Sequence, residues 1–216
     1  MGAIARSAAN NITTSGVFTS SAIANSSVTG ITVLANASDG ITLISSQTAS
    51  ASASISFTTG IDSTYKAYKF VFSNIRPATD NSFFSFNMST DGGSNYNVTK
   101  TTTAFEAYHD EADTGTSLGY VISRDLAQST DFQVITSGIG NGADENASGS
   151  LTLFNPSSTT YVKHFISIIS DYNNTNFIVN NFEAGYGNTT SAINAVRFQF
   201  SSGNIADGKI YLYGIK

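Results

Sequence analysis

A two-residue rhythm of apolar side chains runs through this chain from residue 40 onward, and that rhythm excludes most folds. It is clearest in YKAYKFVFSNI, residues 65–75. In an extended strand, Tyr68, Phe70, Phe72 and Asn74 fall on one side, and Lys69, Val71, Ser73 and Ile75 on the other. The same alternation returns at 54–58 and 83–88. It also sets Val196, Phe198 and Phe200 against Arg197 and Gln199, and Ile210 and Leu212 against Tyr211 and Tyr213. No long segment carries the 3.6-residue period of a helix; only 103–108 and 191–194 would make a turn or so.

Turn residues separate these runs. Pro77 ends the first, because proline cannot donate to a strand ladder. Asp91-Gly92-Gly93-Ser94 and the glycine-containing acidic stretch 141–146 are further breaks. In GSLTLFNPSSTTYVKHF, residues 149–165, two strand-like runs flank a polar connection at 155–160. Leu151, Leu153, Val162 and Phe165 supply packing, and Asn155-Pro156 supplies a corner. About ten strands at spacings near 8–12 residues predict a sandwich or barrel. The expectation is an all-β, jelly-roll-like antiparallel β-sandwich over 40–216, preceded by an extended N-terminal arm over 1–39.

The arm reads differently from the head. It is rich in Ser, Ala, Asn and Thr, with Phe18 as its only aromatic. Its apolar residues are too sparse to bury much area against one another. Spaced anchors in a polar extended chain suit strand addition to a partner, so Val17, Phe18, Ile23, Val28 and Ile31 are the expected docking residues.

Composition narrows the partners. Forty per cent of residues are apolar but only 12% are charged, and Ser, Thr, Asn and Gly make up much of the remainder. Such a chain suits a permanent assembly that covers much of its surface. The net charge of −5 and the scattered basic residues argue against nucleic acid and against a membrane surface. There is no cysteine, so no disulfide, thiol nucleophile or Cys-based zinc site is expected. No apolar run reaches transmembrane length, and the N-terminus lacks a signal-peptide core, so neither membrane insertion nor secretion is expected.

No catalytic, cofactor or metal motif emerges. His109 shares a loop with Asp110, Glu111 and Asp113, but metal-ligand spacing is not met. Gly138, Gly140 and Gly142 have no following helix to make a phosphate loop. No nucleophile elbow is present. Most acids sit at turns, where Asp tolerates tight backbone. The chain therefore reads as non-enzymatic. Tyr96, Tyr108, Tyr120, Tyr172 and Tyr186 lie near loops, where rings could stack on sugars. Candidate receptor or host-glycan residues are Tyr108, His109, Asp110, Glu111, Asn141 and Asp144, in loops 107–115 and 138–146.

Several long segments carry a resemblance. LISSQTASASASISFTTGIDSTYKAYKFVFSNIRPATD at 43–80 resembles a domain of structural proteins of tailed, often marine, bacteriophages. So do DGGSNYNVTKTTTAF at 91–105, DLAQSTDFQ at 125–133, FNPSSTTYVKHF at 154–165 and NTTSAINAVRFQFSSGNIADGKIYLYGIK at 188–216. NITTSGVFTSSAIANSSVTGI at 11–31 is similar to attachment and shaft segments of phage fibres. The resemblance implies a virion protein assembled in the host cytoplasm, either a capsid decoration or a short head or tail fibre. It implies a homotrimer, anchored to other capsid or tail proteins by the arm. The alternative is the tip of a tail fibre that binds a host surface glycan.

Overall fold

The computed structural model describes residues 40–216, all of them in strands, turns and loops. The arm residues Val17, Phe18, Ile23, Val28 and Ile31 lie outside the described residues. Twelve strands follow in order: β1 (Ile41–Thr48), β2 (Ile55–Phe57), β3 (Ala67–Pro77), β4 (Ser82–Ser89), β5 (Lys100–Asp110), β6 (Thr116–Tyr120), β7 (Gln133–Ile139), β8 (Ala147–Phe154), β9 (Lys163–Tyr172), β10 (Phe177–Gly187), β11 (Ala195–Phe200) and β12 (Ile205–Ile215).

They form an eight-stranded sheet, in the order β1-β12-β3-β8-β9-β10-β5-β6, and a four-stranded sheet, β2-β11-β4-β7. Every pairing is antiparallel. The strands β1-β12-β3-β8 facing β2-β11-β4-β7 reproduce the double Greek key of a jelly roll. Two hairpins are spliced into that frame, β5–β6 between β4 and β7, and β9–β10 between β8 and β11. Both join the larger sheet, which therefore extends beyond its smaller partner.

The alternation seen in the sequence builds the core. Tyr68, Phe70 and Phe72 of β3, Phe84 and Phe86 of β4, and Leu151 and Leu153 of β8 are all buried, as are Phe198 of β11 and Leu212 of β12. Phe198 is the hub. Its ring centroid lies 5.1 Å from Phe70, 5.2 Å from Phe72, 5.8 Å from Phe84, 6.3 Å from Phe86 and 6.4 Å from Phe57. Each such side chain contributes roughly 1.5–3 kcal/mol on burial.

The rhythm slips once in β3. Asn74 adopts φ 53° and is exposed, while Ile75 is buried. The pairing with β8 shifts register between Phe72 and Ile75, so a bulge turns the strand over and reverses the faces expected there. Residues 96–99 are loop, and β5 starts at Lys100. The buried Asn87 amide draws this loop in by donating to the Tyr96 carbonyl at 2.7 Å and to the Thr130 carbonyl at 2.9 Å. The corner after β8 is present. Asn155 takes φ 45°, and its N–H reaches the Lys66 carbonyl at 2.6 Å.

Candidate functional site

Three features of the head could meet a partner: a rim of loops, the outer face of the large sheet, and a polar cluster beneath that sheet.

The rim lies where β5, β9 and β10 meet their turns. The pairing places it at the far end of the sheet from Gly40, whose neighbour Ile41 pairs with Ile215 at the other end. Asp110 organises the β5–β6 turn. Its Oδ1 accepts from Thr114 N at 2.8 Å and Gly115 N at 2.9 Å, and its Oδ2 from Thr114 Oγ1 at 2.5 Å. These bonds, Thr114 foremost, hold its carboxyl at about 2. Asp110 is thus a turn-former whose lone pairs are largely committed. His109 Nε2 meets Asp113 Oδ1 at 3.0 Å in the open, and Tyr108 packs edge-on against Phe177 at 5.3 Å.

Glu111 reaches across to the β9–β10 turn. Its Oε1 lies 3.1 Å from the Tyr172 hydroxyl, which also lies 3.2 Å from Asn176 Oδ1. The end of β7 is tied to the same turn, with Asn174 N donating to the Gly138 carbonyl at 3.1 Å. Partial burial first, then Glu111, Asp144 and Glu145, push the Tyr172 phenol above its ordinary range, so these acids share one neighbourhood. The structure therefore brings Tyr108, His109, Asp110, Glu111 and Asp144 to one end. Asn141 is turned aside, its carbonyl accepting from Arg76 at 3.1 Å. Between Asp110, Glu111, Thr175, Asn176 and Phe177 lies an open hollow of about 330 Å³. Thr175, Asn176 and Phe177 were not among the expected site residues; the Asn-rich run 173–176 between two strands was the available signal. Among the described residues no three His, Asp or Glu side chains are grouped to hold a metal.

The outer face of the eight-stranded sheet is the second feature. One row crosses every strand through paired residues: Ser46, Tyr211, Val71, Ser150, Ile168, Phe182, Phe105 and Tyr120. Phe105 and Phe182 stack at 4.7 Å with planes 5° apart. Beside this row sit Ile166, Phe154 and Leu43, and toward the rim Ile178 and Leu118. Ile166, Ile168 and Ile178 are each about half exposed, and Leu118 is 71% exposed. The charged side chains in these outer registers are Lys69 and Lys209, plus the Arg76–Asp207 pair at 2.5 Å. The outer face of the smaller sheet is different: Ser56, Ser85, Asn87, Arg197 and Gln199 occupy it.

Beneath the β9–β10–β5 extension lies the third feature. Alternate residues of β9 point inward as Lys163, Phe165, Ser167, Ile169 and Asp171, all buried. Asp171 Oδ2 accepts from Ser137 N at 2.9 Å and Asn181 Nδ2 at 2.7 Å, and its Oδ1 accepts from the Ser137 hydroxyl. Arg124 reaches in from the segment after β6, bonding Asn181 Oδ1 at 2.6 Å and Glu106 Oε2 at 2.5 Å. Glu183 is buried among these groups, with both carboxylate oxygens unpaired, and the hydroxyl of its cross-strand neighbour Ser167 is also unpaired. Burial pushes Glu183 up to about 8, against the attraction of Arg124 and with repulsion from Asp171 and Glu106. Burial likewise lifts Asp171 to about 6. This cluster substitutes for apolar packing where the small sheet ends. Three acids and one guanidinium meet here, and Glu106, Arg124 and Ser137 also line an open hollow of about 250 Å³.

No family model, no curated protein and no solved structure matches this chain.

Proposed function

We propose that this is a non-enzymatic bacteriophage virion protein, a capsid decoration or short head or tail fibre, whose head makes assembly contacts and whose arm anchors it to the particle. The observation that carries the reading is the charge-poor apolar outer face of the large sheet. A soluble monomer rarely exposes a contiguous apolar patch above a few hundred Å². The face spans every strand of that sheet, which suits a protein built to be covered by neighbours. The segments between 43 and 216 that resemble phage structural proteins lie within this jelly-roll head, and that resemblance supports the reading. Mass spectrometry of gradient-purified particles tests the proposal. The protein should appear in fixed stoichiometry to the capsid, and a chain lacking residues 1–39 should be lost from particles. Absence of the full chain from purified particles would refute the assignment.

A second reading rests on the rim. Asp110, Glu111, Asn176 and Phe177 border a hollow at the end of the sheet remote from Gly40, with Tyr108 packed on Phe177 and the Tyr172 hydroxyl beside Glu111 and Asn176. Aromatic rings beside hydrogen-bonding side chains are what a neutral sugar needs. Binding of the purified chain to a host-surface glycan array, weakened at least several-fold by Tyr172→Ala, would support receptor recognition there.

A further inference from the structure

We infer that two copies of this chain pair face to face through the outer surface of the eight-stranded sheet. The inference rests on the assembly reading above and names the partner: the same surface of a second copy.

Area is the first argument. Neighbouring strands lie about 4.8 Å apart and residues rise about 3.4 Å along each strand. The eight strands therefore present a face of roughly 1,200 Å². A standard specific interface takes about 800 Å² from each partner. One sheet face is thus enough for a stable dimer, and two sheets stacked at about 10 Å are an ordinary packing arrangement.

Charge is the second. The chain carries a net charge of −5, yet the middle of this face offers Lys69, Lys209 and the self-paired Arg76–Asp207, with Asp125, bonded to Tyr120, and the His109–Asp113 pair at its margin. A strongly charged partner would find nothing complementary here. A copy of the same face brings no cluster of like charge against it, and Ser, Thr and Asn between the apolar side chains can bond across the seam. A two-fold interface asks for such self-complementarity.

Shape is the third. Thr103 and Ala184 floor a shallow hollow of about 530 Å³ walled by Phe154, His164, Ile166 and Tyr186. Two residues along β10 from Ala184, the Phe105–Phe182 stack stands as a ridge. A two-fold axis between them seats each ridge in the partner's hollow. Ile166 and Ile168, on the strand next to the sheet's centre, then lie close to the axis.

Sedimentation velocity on the purified full-length chain tests this, with Ile168→Asp, Ile168→Lys and Leu118→Asp as variants. Ile168 is 47% exposed and points away from the core, so thermal midpoints should hold and report intact folding. The wild type should sediment as a dimer at micromolar concentration. Ile168→Asp should weaken it by roughly 100-fold, since an unpaired charge is left in a desolvated seam. Leu118→Asp, at the margin on β6, should weaken it far less. Mixing Ile168→Asp with Ile168→Lys should restore a dimer, because the axis sets the two side chains near each other. A wild-type monomer, an oligomer that Ile168→Asp leaves intact, or a trimer would overturn the inference. None of these outcomes bears on whether the protein is found in particles, so failure here stays distinct from failure of the assembly reading.

Discussion

Replacing Glu183 by Gln should remove a pH dependence that the wild-type fold carries between pH 6 and 8. The folded carboxyl sits at about 8, against an ordinary value of 4.5. Between those values the folded chain holds a proton that the unfolded chain has released. Stability must therefore fall as pH rises through this window and level off above it. The limiting slope is about 1.4 kcal/mol per pH unit. Across pH 6 to 8, where the carboxyl is itself beginning to ionise, the loss comes to roughly 2 kcal/mol. Asp171, lifted to about 6, adds a similar slope below that pH and little above it. Lys100 acts with the opposite sign. Burial holds its ammonium at about 8, where it donates to Asn87 Oδ1 at 2.7 Å and the Val98 carbonyl at 2.8 Å. Above pH 8 the unfolded chain is the one that keeps the lysine proton, so stability climbs again. The wild type should show a minimum near pH 8. The chain has no Trp, so urea unfolding is followed by tyrosine emission or circular dichroism. Glu183→Gln should flatten the limb from 6 to 8 and stabilise the protein at pH 8. A wild-type profile flat over that limb, or a variant with the same slope, would refute the account of the cluster.

Three further outcomes follow from the same geometry. Phe198→Ala removes the ring that five buried phenylalanines touch and should cost about 3–5 kcal/mol in denaturant unfolding. Gly149→Ala would drive a methyl group into the backbone of β9, 2.6 Å from Ile169 Cα, and should lower the thermal midpoint sharply, while Gly119→Ala, with open space around it, should not. Arg124→Met leaves Glu106 and Asn181 without their partner and strips Glu183 of its balancing charge. It should destabilise by about 3–5 kcal/mol and extend the falling limb of the pH profile to higher pH.

The sandwich was legible because its strands obey one rule, that alternate residues enter the core. Tyr68, Phe70 and Phe72 announced their side, and so did Val196, Phe198 and Phe200. The rule failed at Asn74, where a left-handed residue inserts a bulge that no apolar count records. It marked runs in these stretches but did not pair them as the hairpins β5–β6 and β9–β10, whose inward residues include Ser167, Asp171, Asn181 and Glu183. These have the right spacing and the wrong chemistry, so a reading keyed to apolar side chains passed over them, and acids were sought at turns. For Ser167 and Asp171 the clue was their place in register with Phe165 and Ile169 along β9, and for Asn181 and Glu183 their place in register with Val179 along β10. At the rim, Tyr108, His109, Asp110 and Glu111 could be named because they are consecutive in sequence, at the end of β5 and the start of its turn rather than in a loop as expected, whereas Thr175, Asn176 and Phe177 join them only through the β5–β10 pairing. The outer face was hidden because its apolar residues share strands with core residues, and only the cross-strand register separates the two sides.

The borders of the large sheet bear on what kind of assembly can form. An open edge invites another strand, and repeated addition leads to fibrils. Here one border is β6, just five residues long, and the other is β1, kinked by a shift between Leu43 and Ser45. Neither offers a long, flat row of free amides and carbonyls. Among the described residues, lateral growth of the sheet by strand addition is therefore disfavoured at both borders, and contacts between copies fall to its faces and loops.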